Sequence, residues 1–273
     1  LLVGVDGSIH STARRQVSYS SPEELSPMGK EFSPDDVWAD MCQLIRQALR
    51  EGDISSEDVV AISSTGQRGG MVLLDEHGKE LYAGPNQDVR AFFEGMAMDE
   101  KHRRDIYSLT GHLPSFLFAS AKIKWLQKHR PEISHRIDKV LPISDWLIFK
   151  LTGQLKAEKS ALGEIGLLNV LTTTTDTSLL ETIGISPEIL PSVGTCGEVI
   201  GNITSQNAIS MGLKKDTAVV LGGPDTQCGL LGMGVVDNGD LGIVAGWSSP
   251  LQLVTETPII DRHMRTWTGC HVI

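Results

Sequence analysis

Ala218–Leu221, followed by Gly222, Gly223, Pro224 and Asp225, limits the fold more than any other stretch. A short apolar run of this kind is a buried strand, and two glycines and a proline end it sharply. Asp225 then opens a helix running through Gly234, because an acid at a helix start meets unpaired amides and the positive end of the macrodipole. A strand that turns directly into a helix is the repeating unit of an α/β domain. Taken alone, Asp225 reads as an ordinary N-cap. The alternative is a carboxylate held at a cleft to take a proton from a substrate hydroxyl, and the rest of the chain must decide between the two.

Leu1–Val5, Asp6-Gly7 and Ile9–Ala13 spell a hairpin around a tight turn. Ser33, Pro34, Asp35 and Asp36 start a helix that buries Val37, Met41, Leu44, Ile45 and Leu49 along one face. Val59–Ser63 reads as a compact buried strand running into Thr65–Gly70, and Met71–Leu74 pairs with Leu81-Tyr82 across Asp75–Gly78. Helices are expected over 91–98, 100–110, 115–128 and 144–151, then a short one over 204–211 stopped by Gly212. Leu241–Ala245 is a further strand. His102, His112, His129 and His135 show no metal-ligand spacing and are expected on solvated helix faces.

A net charge of −10 argues against nucleic acid or an anionic membrane as the main partner. Cys42, Cys196, Cys228 and Cys270 form no CxxC pair, so neither a zinc site nor a disulfide framework is expected, and a reducing cytoplasm is the default compartment. No apolar run approaches membrane-spanning length. The chain opens at Leu1 without a methionine and reads as a piece of something longer.

Four stretches, in order, resemble the FGGY carbohydrate kinases of the actin/hexokinase-like superfamily. Ile62–Arg68 is similar to the family's sugar-facing strand end. Asn86-Gln87-Asp88-Val89-Arg90 resembles its W-N-D-x-R stretch with the Trp replaced. Lys122–His129 carries the later part of its K-x-x-W-L signature, with Ala119 at an upstream position that is usually polar. Gly222–Gly232 resembles the segment that supplies the catalytic base. Ile143–Leu147 with Leu151-Thr152-Gly153 adds support, and this region and Asn86–Arg90 are most similar to autoinducer-2 kinases, then to xylulokinases.

The resemblance implies a ribonuclease-H-like α/β domain, a mixed central sheet flanked by helices, lacking its first strand and that strand's D-x-G-T phosphate turn. Residues 1–235 would form the sugar-binding domain and 236–273 the start of an incomplete ATP-binding domain. The implied reaction is ATP- and Mg²⁺-dependent phosphorylation of a small sugar, polyol or linear hydroxyketone, the fragment itself being inactive. The rival is a sugar-binding or regulatory protein of the same fold. Asp225 would be the general base, and Gln67, Arg68, Asp88 and Arg90 the substrate contacts. Gly246 and Ser248 would contact phosphate, although Trp247 stands where relatives carry Thr. Asp88 and Arg90 can equally pair with each other, and Trp125 reads as core packing. Gly69 replaces a second polar contact, leaving the substrate open, and self-association into a homodimer is also left open.

Overall fold

The computed structural model describes residues 1–246 and 249–273. In chain order it has β1 (Leu2–Val3), β2 (Ile9–Ser11), α1 (Pro34–Gly52), β3 (Ala61–Gly66), β4 (Met71–Leu74), β5 (Glu80–Gly84), α2 (Phe92–Thr110), α3 (Ala119–His129) and α4 (Pro131–Ser134). There follow β6 (Lys139–Pro142), α5 (Ile143–Thr152), β7 (Lys156–Glu158), α6 (Lys159–Glu164), α7 (Thr177–Thr182), β8 (Ser192–Gly194), β9 (Val199–Asn202) and α8 (Ser205–Met211). Last come β10 (Ala218–Pro224), α9 (Asp225–Gly232), β11 (Leu241–Ile243) and β12 (Leu251–Leu253).

The opening hairpin forms as expected, with Asp6 accepting from the Ser8 amide at 3.0 Å and the Ser8 hydroxyl at 2.7 Å to hold its turn. Helix α1 starts at the expected cap, where Ser33 Oγ accepts from the Asp36 amide at 3.2 Å. Its apolar face is half-buried rather than buried. Val37 and Met41 lean on one core cluster, Ile45 and Leu49 on a second. The two helices expected over 91–98 and 100–110 are one helix, α2, bent at His102 (φ −128°, ψ 15°). With no Gly or Pro between Met96 and Thr110, the chain bends there without ending the helix.

The α/β expectation holds, with its strands gathered into two three-stranded sheets and smaller ribbons. One sheet has the order β3-β10-β9 and is mixed, β10 running parallel to β3 and antiparallel to β9. The other, β5-β4-β6, is antiparallel throughout. Strands β7 and β8 pair in parallel, β11 and β12 antiparallel.

Helix α5 packs between the two larger sheets. Trp146 and Leu147 belong to the core cluster under β4, Ile148 and Leu151 to the cluster under β10. Its sequence is apolar nearly all round, as a helix buried on both sides requires. The strand expected buried at Val59–Ser63 lies instead at Ala61–Gly66, with Ala61, Ser63 and Thr65 exposed. The reason is topological: β3 is an edge strand whose one partner in its sheet is β10. Among the described residues no helix is long and apolar enough to cross a membrane.

Candidate functional site

The parallel pair β3 and β10 ends in register, with Thr65 opposite Gly223 and Gly66 opposite Pro224. Beyond that point β3 enters the Gln67–Gly70 turn and β10 enters α9, so two backbones diverge and leave a crevice at the carboxyl ends of the strands. Open α/β sheets bind ligands at such places. Side chains lock the crevice walls: Thr65 Oγ1 donates to the Gly223 carbonyl at 2.8 Å, and Ser64 Oγ to the Ser144 carbonyl at the start of α5 at 2.6 Å. Gly222 is demanded by close approach, since a Cβ there would run into the Ser64 carbonyl where the β3–β10 register slips.

Asp225 is exposed at the mouth of this crevice. It is the first residue of α9 and not its cap: that position is Pro224, which makes no side-chain cap. The Asp225 Oδ1 atom accepts from the Thr226 amide at 2.7 Å and from its hydroxyl at 3.2 Å. The Asp225 carboxylate is thus exposed at the start of α9, bonded to Thr226 and not acting as the N-cap.

Arg68 lines a small cavity with Gly66, Gly70, Ser144, Glu164 and Pro224. Its Nη1 lies 3.6 Å from Glu164 Oε2, and among the described residues its guanidinium makes no hydrogen bond to another protein group. Gln67 accepts from the Asn86 amide at 3.2 Å and donates to Tyr19 Oη at 3.3 Å, which ties the turn to the loop after β5. Gly69 has φ +73°, a left-handed conformation that favours glycine at this position. A wider depression along the outer side of α2, over Met96, Lys101 and Arg104, gathers none of the sequence-predicted site residues.

Asp88 and Arg90 are not brought to the crevice. Asp88 is fully buried, and both of its oxygens accept from Arg90 Nε, at 3.0 and 2.9 Å. It also accepts from the Lys30 amide at 2.9 Å and from Tyr82 Oη at 2.5 Å. Arg90 pairs with Glu31 at 2.7 Å, and its guanidinium lies 5.3 Å from the Trp125 ring centre. Of the two readings, the mutual pair is the one present, and neither residue lines the cavity. Trp125 packs in the core as expected, stacked on His129 at 4.8 Å. The second and third resemblance stretches thus meet each other and not the site.

Glu164, which lines the cavity, and two polar groups against it, Gln227 and His112, were not singled out by sequence reasoning. Glu164, at the end of α6, is 7% exposed and accepts from Gln227 Nε2 at 2.6 Å. Gln227 belongs to the first turn of α9, so Glu164 bridges the base helix and the Arg68 turn. His112, expected on a solvated face, is 2% exposed, because Gly111 (φ +73°) ends α2 and turns the next residue inward. Its Nδ1 is 2.6 Å from the Thr110 carbonyl, and its Nε2 is 4.0 Å from Glu164 Oε1. The available signal was an acid within the otherwise small and apolar run Ser160–Ile165; no spacing rule singles it out.

Behind the cavity sit two buried acids. Glu158 accepts from the Ala161 amide at 3.0 Å and from the Ser160 hydroxyl, capping α6. Both oxygens of Asp145 are buried without a hydrogen-bond partner among the described residues. Burial pushes both carboxyls above their ordinary range, and for Asp145 the nearby Glu158 charge adds to the effect.

The C-terminal segment lies across the Glu164 side of the site. Trp267 Nε1 donates to the Leu113 carbonyl at 2.6 Å, the Thr268 amide to the Gly111 carbonyl at 3.0 Å, and Val272 is buried. Gly246 is exposed in the bend after β11, while Trp247 and Ser248, the other positions expected in a phosphate turn, lie outside the described residues. Among the described residues no group of three or more His, Cys, Asp or Glu is placed to hold a metal ion.

Residues 1–232 match the model of the FGGY family of carbohydrate kinases, N-terminal domain. The chain is similar to the autoinducer-2 kinase of Salmonella paratyphi B, 34% identical over 253 residues, covering 90% of this chain and 47% of that protein. It is also 34% identical to the putative sugar kinase YoaC of Bacillus subtilis over 272 residues, covering 99% of this chain and 54% of that one. Among solved structures, xylulose kinase from Rhodospirillum rubrum superposes with a TM-score of 0.85 at 23% identity, covering 95% of this chain and 52% of that chain. The chain spans about half the length of the curated relatives it matches.

Proposed function

The chain belongs to the FGGY family of carbohydrate kinases, and from that premise we propose that the protein transfers the terminal phosphoryl group of ATP to a hydroxyl of a small sugar, polyol or linear hydroxyketone. Asp225 accepts the proton of the attacking hydroxyl. Arg68, with Gln67 holding its turn, fixes the acceptor in the crevice. Residues 1–235 carry the acceptor site, and 236–273 begin the part that meets the nucleotide.

The observation that carries this reading is the placement of an exposed carboxylate, Asp225, at the end of a strand paired in register with the strand that leads to Arg68. Phosphoryl transfer asks little covalent chemistry of a protein; it asks for positioning, charge stabilisation and a group to receive a proton. Arg68 has donors to spare, since its contact with Glu164 is an ion pair at 3.6 Å and not a hydrogen bond. Mg²⁺, carried on the phosphates, takes most of its ligands from phosphate and water. That suits a site whose described residues form no metal cage. Gly246, exposed in its bend, leaves backbone open to a phosphate.

The test is a kinase screen of the full-length protein against pentuloses, polyols and the linear autoinducer-2 precursor. Saturable, ATP-dependent phosphorylation of one of these supports the proposal. Binding of an acceptor without transfer, under any ATP and Mg²⁺ condition, would instead favour a sugar-binding role.

A further inference from the structure

Residues 266–273 lie beyond the boundary proposed for the acceptor domain, yet their contacts run along that domain. Tyr107 Oη donates to the Thr266 carbonyl at 2.6 Å, Trp267 Nε1 to the Leu113 carbonyl at 2.6 Å, and the Thr268 amide to the Gly111 carbonyl at 3.0 Å. These bonds pin the segment to the end of α2 and the loop after it. Further along, His271 Nε2 lies 3.2 Å from the carbonyl of Val235, just beyond α9. Alongside these anchors, two residues of the segment touch the crevice walls.

The first is Gly269. Glu164, which lines the cavity, accepts from Gln227 Nε2 at 2.6 Å on one side and faces Arg68 Nη1 at 3.6 Å on another. The Gly269 backbone closes a third side: a Cβ added there would sit 3.2 Å from Glu164 Oε1, tighter than ordinary contact. In an interior packed this closely, one extra methyl displaces its neighbour. The second is Val272, which is 2% exposed. It fills the space a side chain at Gly223 would need, a Cβ at Gly223 falling 2.6 Å from Val272 Cγ1. Gly223 is followed by Pro224, which lines the cavity, and then by Asp225.

We infer that residues 266–273 shape the acceptor crevice from outside it: Gly269 is a positioning residue for Glu164 and Arg68, and Val272 for Asp225. Groups in the stretch that begins the nucleotide part thereby set the geometry of the acceptor part. The inference rests on the kinase reading for the roles of Arg68 and Asp225, and its two halves have different readouts. Moving Arg68 changes how tightly the acceptor binds, whereas moving Asp225 changes the proton transfer.

The experiment compares full-length wild type with Gly269→Ala, Val272→Ala and Trp267→Phe, each checked by circular dichroism. Acceptor affinity is read by calorimetry without ATP, and kcat and KM with ATP. The acceptor is whichever of D-xylulose, xylitol and the linear autoinducer-2 precursor wild type binds most tightly. Gly269→Ala should weaken affinity and raise KM about tenfold while kcat stays within about threefold. Added to Glu164→Asp it should cost nothing further, because the shorter side chain frees the space the methyl takes. Val272→Ala should lower kcat about tenfold with affinity kept. Trp267→Phe removes the bond to the Leu113 carbonyl at a half-exposed residue and should lower affinity and kcat about threefold each. Wild-type affinity in folded Gly269→Ala, an equal loss with and without Glu164→Asp, or an unchanged kcat in folded Val272→Ala overturns the inference. Should either of those variants fail to fold, Trp267→Phe decides, and wild-type affinity and kcat there overturn it. Wild type that binds no acceptor overturns it too. Wild type that binds an acceptor and never phosphorylates it sinks the kinase reading, while the affinities of Gly269→Ala and Trp267→Phe still decide the Gly269 half.

Discussion

Lys122 shows how a buried charge can weigh against stability. It is 1% exposed, its ammonium donates to the Leu117 carbonyl at 3.0 Å, and burial lowers its pKa to about 8. An unfolded lysine holds its proton to about pH 10.4. Between these two values the unfolded chain binds a proton that the folded chain lacks, so this residue makes stability rise with pH there, by on the order of 3 kcal/mol. Below pH 8 the full cost of the buried charge is present. Lys122→Met should therefore raise the urea midpoint at pH 7 and flatten the rise between pH 8 and 10, measured against wild type. Asp145 behaves in the opposite sense: its folded pKa is raised by burial, so its contribution to stability is lost as pH climbs above the ordinary carboxylate range. Asp145→Asn should stabilise the protein more at pH 8 than at pH 4, read as the difference in Tm. Neither group could be found in the sequence, because burial of a Lys or Asp is a property of the packed chain.

Among the helices and strands, what the sequence made legible was what local chemistry dictates. Ser33-Pro34 started α1, Gly212 (φ +70°) ended α8, and the turn at Asp75–Gly78 closed β4 onto β5. What it hid depended on neighbours distant in the chain. The apolar run at 59–63 gave no sign that β3 would lie at a sheet edge, and the solvated appearance of His112 gave no sign that Trp267 would pack edge-on against it, ring centres 5.0 Å apart. Of the candidate site, Asp225, Gln67 and Arg68 were legible through the resemblance. Glu164 was not, and Asp88 with Arg90 turned out to hold each other. Helix α5 is held to the antiparallel sheet by Trp146, which is fully buried and donates to Glu80 of β5 at 3.0 Å. Trp146→Ala should cost about 3–5 kcal/mol of unfolding free energy by denaturant titration, the range for a large buried aromatic. Gly69→Ala should cost about 1 kcal/mol through its left-handed backbone and weaken acceptor binding by moving Arg68.

In the molecule as a whole, two parallel strands end side by side, one in the Arg68 turn and one in α9, and the proposed reaction puts the acceptor between them. The same proposal has the nucleotide met mainly by groups outside residues 1–235. The 273-residue chain by itself should then bind ATP weakly or not at all, and tight Mg²⁺-dependent binding by calorimetry would contradict that division of labour. Everything proposed for the reaction turns on one exposed acid at the head of α9 receiving the substrate proton. The decisive quantity is the kcat of full-length Asp225→Ala with its best acceptor, alongside its circular dichroism spectrum and the affinity of that acceptor. A fall of about two orders of magnitude or more is expected, with the spectrum unchanged and acceptor binding largely kept. Turnover near the wild-type value in a folded Asp225→Ala protein would contradict the assignment of Asp225 as the base.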